Sequence, residues 1–192
     1  MKTIKTNLEN TLIIKNSKFI TKYYKISTIE EINNILMDLK IKYKDASHIC
    51  YAYIIDDLSK YSDDSEPNNT AGFSIYNVLN HHSLNYVLCV VIRYFGGIKL
   101  GIGPLAKAYK TSASILLIKE NIVNLVNGYQ IEIIIDYNKE KILNIILKDA
   151  IYLKKEYLDN IYYLVNVKED LLVNLNNHNI SYNIIKKIKL EI

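Results

Sequence analysis

The sequence predicts an α+β protein in two parts, the second of ferredoxin-like type. Three observations carry this. Helical apolar spacing alternates with short strand-like runs along all 192 residues. The character of the chain changes around Asn127–Gly128. Beyond that point the segments read β-α-β-β-α-β, the split-βαβ pattern.

Residues 11–14 and 19–26 read as strands around a turn at Lys15, Asn16 and Ser17. Thr28-Ile-Glu-Glu31 is a capping box, opening a helix whose apolar stripe is Ile29, Ile32, Leu36 and Leu39. Residues 48–55 form the third strand. Residues 56–69 are a polar loop with four aspartates, and 71–80 a short helix with Ile75, Val78 and Leu79 inward. Residues 85–93 are the fourth strand. Residues 103–121 are expected as the longest helix, with Pro104 at its first position, where a missing N–H is no loss. A domain boundary is placed at 122–128, giving domains 1–124 and 128–192. In the second, 129–136, 151–158, 161–167 and 182–192 are strands, and 138–149 and 169–178 are helices. Asp159–Asn160 suits a hairpin turn.

Composition narrows the function classes. The net charge of +4 resides in residues 1–127, with 15 basic and 11 acidic side chains, whereas 128–192 hold nine of each. That balance permits contact with phosphates without demanding it. No run approaches the ~18 apolar residues of a membrane span, and the early apolar run at 12–14 is too short for a signal peptide. A soluble, cytoplasmic protein is expected, with no membrane partner. Cys50 and Cys89 lie in apolar strands without metal spacing and read as buried free thiols.

Three places hold candidate chemistry. Residues 93–109 contain four of the six glycines (Gly96, Gly97, Gly101, Gly103), the only arginine (Arg93) and Pro104. A strand, a glycine-rich loop and a helix start follow one another there. With Lys99 and Lys107 they fit an anion pocket. They fit equally a tight connection whose glycines only permit the turn. The spacing is neither that of a P-loop nor of a dinucleotide fold. Asp63, Asp64 and Glu66 fit a cation-holding loop, a polar pocket wall facing those lysines, or a solvated loop; Thr70 is a candidate cap for the helix that follows. His48, one strand face with Cys50, fits a pocket wall or a nucleophile's partner.

Longer motifs then carry a resemblance. They are His48-x-Cys50-Tyr51-Ala52-Tyr53, Ser62-Asp63-Asp64-Ser65-Glu66-Pro67-x-x-Thr70-Ala71-Gly72, and Val90 through Tyr109, with Asn16-Ser17-Lys18-Phe19-Ile20 before them. The sequence resembles the IMPACT family, of bacterial YigZ type. The resemblance implies a first domain like the second domain of ribosomal protein S5, followed by a ferredoxin-like domain. It implies a non-enzymatic, translation-linked protein contacting RNA, the ribosome or a translation factor, without DNA sequence specificity, cofactor or metal. Its ligand or anion site would comprise Arg93, Gly96, Gly97, Lys99, Gly101, Gly103 and Lys107. His48, Asp63, Asp64, Glu66, Thr70, Gly72 and Tyr109 would line the pocket. The alternative is an enzyme acting on a phosphorylated small molecule between the acidic and glycine-rich loops. The chain departs from the usual DDGEPSGTAG at Ser65 and Asn69, where the family carries glycine, and at Phe73-Ser74; it has Pro104 and Lys107 within the family's GGLVRAY.

Overall fold

The computed structural model describes residues 1–192, which divide into two compact units, Met1–Asn124 and Leu125–Ile192. In the first, five strands form an antiparallel sheet: β2 (Leu8–Ile14), β3 (Ser17–Lys25), β4 (His48–Ile55), β5 (Leu58–Ser62) and β6 (Val87–Tyr94), after a short β1 (Lys2–Ile4). Their order is β2-β3-β6-β4-β5. β6 lies in the middle, so both its faces are covered, and its unbroken apolar run Val87–Ile92 is wholly buried.

Helix α1 (Ile29–Lys42) covers one face, with Ile32 and Leu39 against Ile20, Ile49, Leu88, Val90 and Ile92. Its capping box forms as expected: Thr28 Oγ1 accepts from Glu31 N at 3.1 Å, and Glu31 Oε2 accepts from Ser27 N at 2.8 Å. Helices α2 (Gly72–His81) and α3 (Ile102–Ser114) cover the other face. Ile75, Val78, Leu79, Leu105, Ala108 and Tyr109 pack there on Phe19, Tyr23, Cys50, Ala52, Cys89 and Val91.

The second unit takes β7 (Ile122–Ile135) from Leu125 onward, then α4 (Glu140–Ile146), β8 (Ile151–Tyr157), β9 (Ile161–Lys168), α5 (Glu169–Asn177) and β10 (Asn183–Glu191). The strands lie β10-β7-β9-β8, all antiparallel. The predicted inner stripe of β7 is there: Ile131, Ile133 and Ile135 are buried and Tyr129 half-buried, packed with Leu143, Leu147, Leu171 and Leu175 from the helices.

Four expectations need correction. The loop 56–69 contains β5, an exposed edge strand joined to β4 across Asp56–Asp57; pairing, not burial, makes it a strand, so it leaves no apolar alternation. β1 was not foreseen, because its partner, Ile122–Asn124, is far along the chain. β7 runs through the boundary placed at 122–128, its residues 122–124 paired with β1 and 125–128 with β10. The helix expected over 103–121 stops at Ser114 and is shorter than α1: Leu117 turns back into the core, and Asn121 Nδ2 holds the Leu116 carbonyl at 2.9 Å. Pro104 is accordingly the third helical residue, still among those whose N–H lacks a partner within the helix.

Candidate functional site

Glu66 and Arg93 organise the site. Register places His48 opposite Arg93 and Phe19 opposite Arg93, so the three share the sheet face under α2 and α3. Arg93 is 5% exposed and Glu66 7%. Arg93 Nη1 donates to Glu66 Oε1 at 2.6 Å, and the Tyr109 hydroxyl donates to the same oxygen at 2.8 Å. His48 Nε2 lies 3.7 Å from Glu66 Oε2. The guanidinium also lies over the rings of Phe19 and Phe95, at 5.5 and 5.7 Å. Its Nη2 reaches Ser17 Oγ at 3.4 Å, and its Nε has no partner.

The aspartates are engaged with backbone. Asp63 Oδ1 accepts from Ala71 N and Gly72 N, and Oδ2 from Asn69 N, all at 2.8 Å. Asp63 therefore caps α2 from eight residues upstream. Thr70, the expected cap, instead donates its hydroxyl back to the Pro67 carbonyl at 2.5 Å. Asp64 Oδ2 accepts from Ile49 N at 2.6 Å, and its carbonyl meets His48 Nδ1 at 2.8 Å. No three His, Cys, Asp or Glu side chains converge as a metal set would require. The loop is thus a clip that fastens α2 to β4, with Glu66 buried, Asp63 on the amides that open α2 and the exposed Asp64 bonded to β4. Gly72 permits it: a Cβ there would lie 2.5 Å from the Ser62 carbonyl oxygen.

Cys50 donates to the Asp63 carbonyl at 3.0 Å and to the Tyr109 hydroxyl at 3.4 Å, and the ring nitrogens of His48 face the Asp64 carbonyl and Glu66 instead of the thiol. The nucleophile reading fails on this point. Burial pushes the Cys50 thiol far above its ordinary value, with the Glu66, Asp64 and Asp63 charges adding to it and the Tyr109 hydrogen bond opposing. Burial likewise pushes Cys89 up to about 12. Raised thiol values mean that this stabilisation is complete below the free-thiol value near 9 and is lost as pH climbs toward the folded values. Both thiols should resist a thiol-reactive chromophore at pH 8 and react at once in denaturant; prompt labelling of the native protein would contradict this.

The glycine-rich loop is of a different kind. Gly96 packs against the β2–β3 turn, where a Cβ would lie 2.0 Å from the Asn16 carbonyl carbon. Gly97 and Gly101 take φ of +84° and +85° with open space around them. Gly103 has neither constraint. Lys99 and Lys107 are exposed and make no ion pair. Of the expected anion site, Arg93 is turned inward to Glu66, while the two lysines face solvent. The structure brings together Arg93, Glu66, His48 and Tyr109, and places Lys99 and Lys107 outside that cluster. Sequence reasoning missed Ser17, whose hydroxyl meets both Arg93 and Gly96 N; its signal was the Asn16-Ser17-Lys18-Phe19 motif.

Residues 15–117 match the family described as the Impact N-terminal domain. The chain belongs to the IMPACT family. It is 40% identical over 115 residues to the IMPACT family member YvyE of Bacillus subtilis, covering 58% of this chain and 53% of that protein. It is 37% identical over 101 residues to the IMPACT family member YigZ of Escherichia coli, covering 50% of each. The chain spans about half the length of the curated relatives it matches. Among solved structures, one titled a crystal structure of a hypothetical protein superposes with a TM-score of 0.61 at 23% identity, over 96% of this chain and 97% of that one, a likeness of fold.

This IMPACT chain shows why glycine suits two positions where it departs from the pattern. Ser65 and Asn69 have φ of +69° and +61°. Asn tolerates the left-handed region better than Ser. Ser65→Gly should therefore raise stability by about 0.5–1 kcal/mol, the relief of strain outweighing the greater freedom of the unfolded chain. A urea titration checks it; a lower midpoint would show that Ser65 is not strained.

Proposed function

We propose that the chain is a non-enzymatic, cytoplasmic binding protein acting in translation, through contact with RNA, the ribosome or a translation factor. The observation that carries this is that Glu66, Asp63, Asp64 and Cys50 are each engaged by groups of the protein itself. Glu66 is held by Arg93 and Tyr109, Asp63 by three amides, Asp64 by Ile49 N, and Cys50 is kept protonated by burial. Membership of the IMPACT family supports the link to translation. The alternative, an enzyme for a phosphorylated small molecule, needs several carboxylates free to hold a cation beside the phosphate, and Glu66 and Asp63 are already engaged.

In this reading the first domain, 1–124, is of the ribosomal protein S5 domain 2 type. The second, 128–192, is ferredoxin-like, supported by its β-α-β-β-α-β order and strand arrangement β10-β7-β9-β8. The Glu66–Arg93 cluster with His48, Asp63, Asp64, Thr70, Gly72 and Tyr109 shapes the loop, and Gly96, Gly97, Lys99, Gly101, Gly103 and Lys107 present the contact surface. Co-sedimentation with ribosomes between 50 and 200 mM salt tests it. Association that weakens steeply with salt and is reduced in Lys99→Ala is expected. Absence of co-sedimentation at the lowest salt, with turnover of a phosphorylated metabolite in its place, would overturn it.

A further inference from the structure

From Pro67 to Lys119 the chain contains no Asp or Glu; all twenty acidic residues lie elsewhere. The same stretch carries Arg93, Lys99, Lys107, Lys110 and Lys119. It builds both helices on one face of the first sheet, α2 and α3. Helix α1, on the other face, carries acidic and basic side chains together, Glu30, Glu31 and Asp38 beside Lys40 and Lys42. Of the two helices on the α2–α3 face, α3 carries Lys107 and Lys110 and α2 carries neither lysine nor arginine, and neither helix carries a carboxylate, so the positive charge of α3 is unopposed by acids within the layer. In the nearby loop Glu66 and Asp63 turn inward to Arg93 and to backbone amides, which leaves Asp64, bonded through Oδ2 to Ile49 N, as its one exposed carboxylate after Asp57.

The lysines of this stretch, Lys99, Lys107, Lys110 and Lys119, are exposed and make no ion pair. Lys107 and Lys110, one helical turn apart, line an open groove of about 550 Å³ with Thr111, Ser114 and Ile115. On α2, Phe73 and Tyr76 join Tyr61 of β5 in a surface aromatic cluster with ring centroids 5.6 to 6.4 Å apart. Tyr61 and Phe73 are each 39% exposed. Unpaired lysines that attract phosphates and exposed rings that stack on bases are the two elements of sequence-tolerant single-strand binding.

We infer that the outer face of the α2–α3 layer binds single-stranded RNA, with Lys107 and Lys110 on phosphates and the Tyr61–Phe73–Tyr76 cluster stacking on bases. This rests on the binding role proposed above and names its surface and ligand. The charge complementarity carries it; an acidic protein would use the lysines and leave the rings idle.

The test is fluorescence anisotropy of a labelled 12-nucleotide oligouridine with the full chain from 50 to 200 mM salt. Lys107→Glu/Lys110→Glu is compared with Lys40→Glu/Lys44→Glu, an equal charge change on and just beyond α1. Thermal melts establish that each variant is folded. Affinity at 50 mM salt should fall at least about tenfold in the α3 variant, and the log–log salt slope should flatten by about 1.4, two phosphate contacts at ~0.7 each. The Lys40/Lys44 variant should change far less, and Phe73→Ala should weaken binding with an unchanged salt slope. Equal loss in both charge variants, or none in either, would overturn the assignment of this surface while leaving RNA binding intact. No binding by the unaltered chain at 50 mM salt would remove the RNA ligand itself. Binding of polyglutamate but not oligouridine would replace RNA by an acidic protein.

Discussion

Glu66→Ala is expected to destabilise the first unit by about 3–5 kcal/mol, the cost of leaving one partner of a buried ion pair without the other. Arg93 would keep only Ser17 Oγ at 3.4 Å as an acceptor, and the Tyr109 hydroxyl would lose its strongest partner. Arg93 is 5% exposed, so water cannot take over the role of the carboxylate. In urea the midpoint should fall by roughly 1.5–3 M at unchanged slope, given slopes of about 1–3 kcal/mol per M. A double variant keeps the idea testable if the single one does not fold. Glu66→Gln/Arg93→Met removes both charges together and should regain much of the loss, because replacing a buried pair by apolar groups is often close to neutral. A stability loss below about 1 kcal/mol in Glu66→Ala would mean that the pair is solvated and the clip is not a structural unit.

Gly96→Ala is expected to be the most damaging substitution in the glycine-rich loop. Its Cβ would lie 2.0 Å from Asn16 C and 2.4 Å from Ser17 N, and backbone cannot rotate away as a side chain can. Relief requires the β2–β3 turn and the loop to separate, which would also break the Gly96 N to Ser17 Oγ hydrogen bond at 3.2 Å. A cost of about 3 kcal/mol or more follows from overpacking plus the lost bond. Three neighbours supply the scale. Gly101→Ala and Gly97→Ala meet no close atom but sit at positive φ, so about 1–3 kcal/mol is expected for Gly101, whose ψ of 157° lies in a region almost confined to glycine, and about 1–2 kcal/mol for Gly97. Gly103→Ala, in the first turn of α3 with open space, should be neutral or slightly stabilising. Thermal or urea melts of the four variants should rank them in that order; equal effects would mean that the loop is held by conformation alone.

These two expectations concern residues that looked alike in the sequence. Arg93 and Lys99 both read as cations beside a glycine-rich loop. The strand register separates them: Arg93 lies on the covered face of β6, whereas Lys99 follows the strand and is exposed. Asp63 and Asp64 read as acids available to a ligand, yet amides from Ile49, Asn69, Ala71 and Gly72 hold their oxygens. No composition rule distinguishes a carboxylate that faces solvent from one that caps a helix eight residues away. The same blindness applies to β5, which is a strand because of what it pairs with and not because of what it buries, and to β1, whose buried Thr3 and Ile4 are too few to show a period and whose partner is far along the chain.

By itself the sequence determined the elements that bury an apolar face, because apolar periodicity is a local property. The capping box at Thr28, the β6 run Val87–Ile92 and the β7 stripe from Ile131 to Ile135 all lie where periodicity placed them. It also determined the family, through motifs between Asn16 and Tyr109 long enough to be specific. Only the tertiary structure decided which charged groups are partners and which remain available. The Glu66–Arg93–Tyr109 contacts join residues 27 and 43 positions apart. Such contacts depend on strand register and on helix docking, which are set by the whole chain, and they turned an apparent anion pocket into a buried clip with the lysines of α3 outside it.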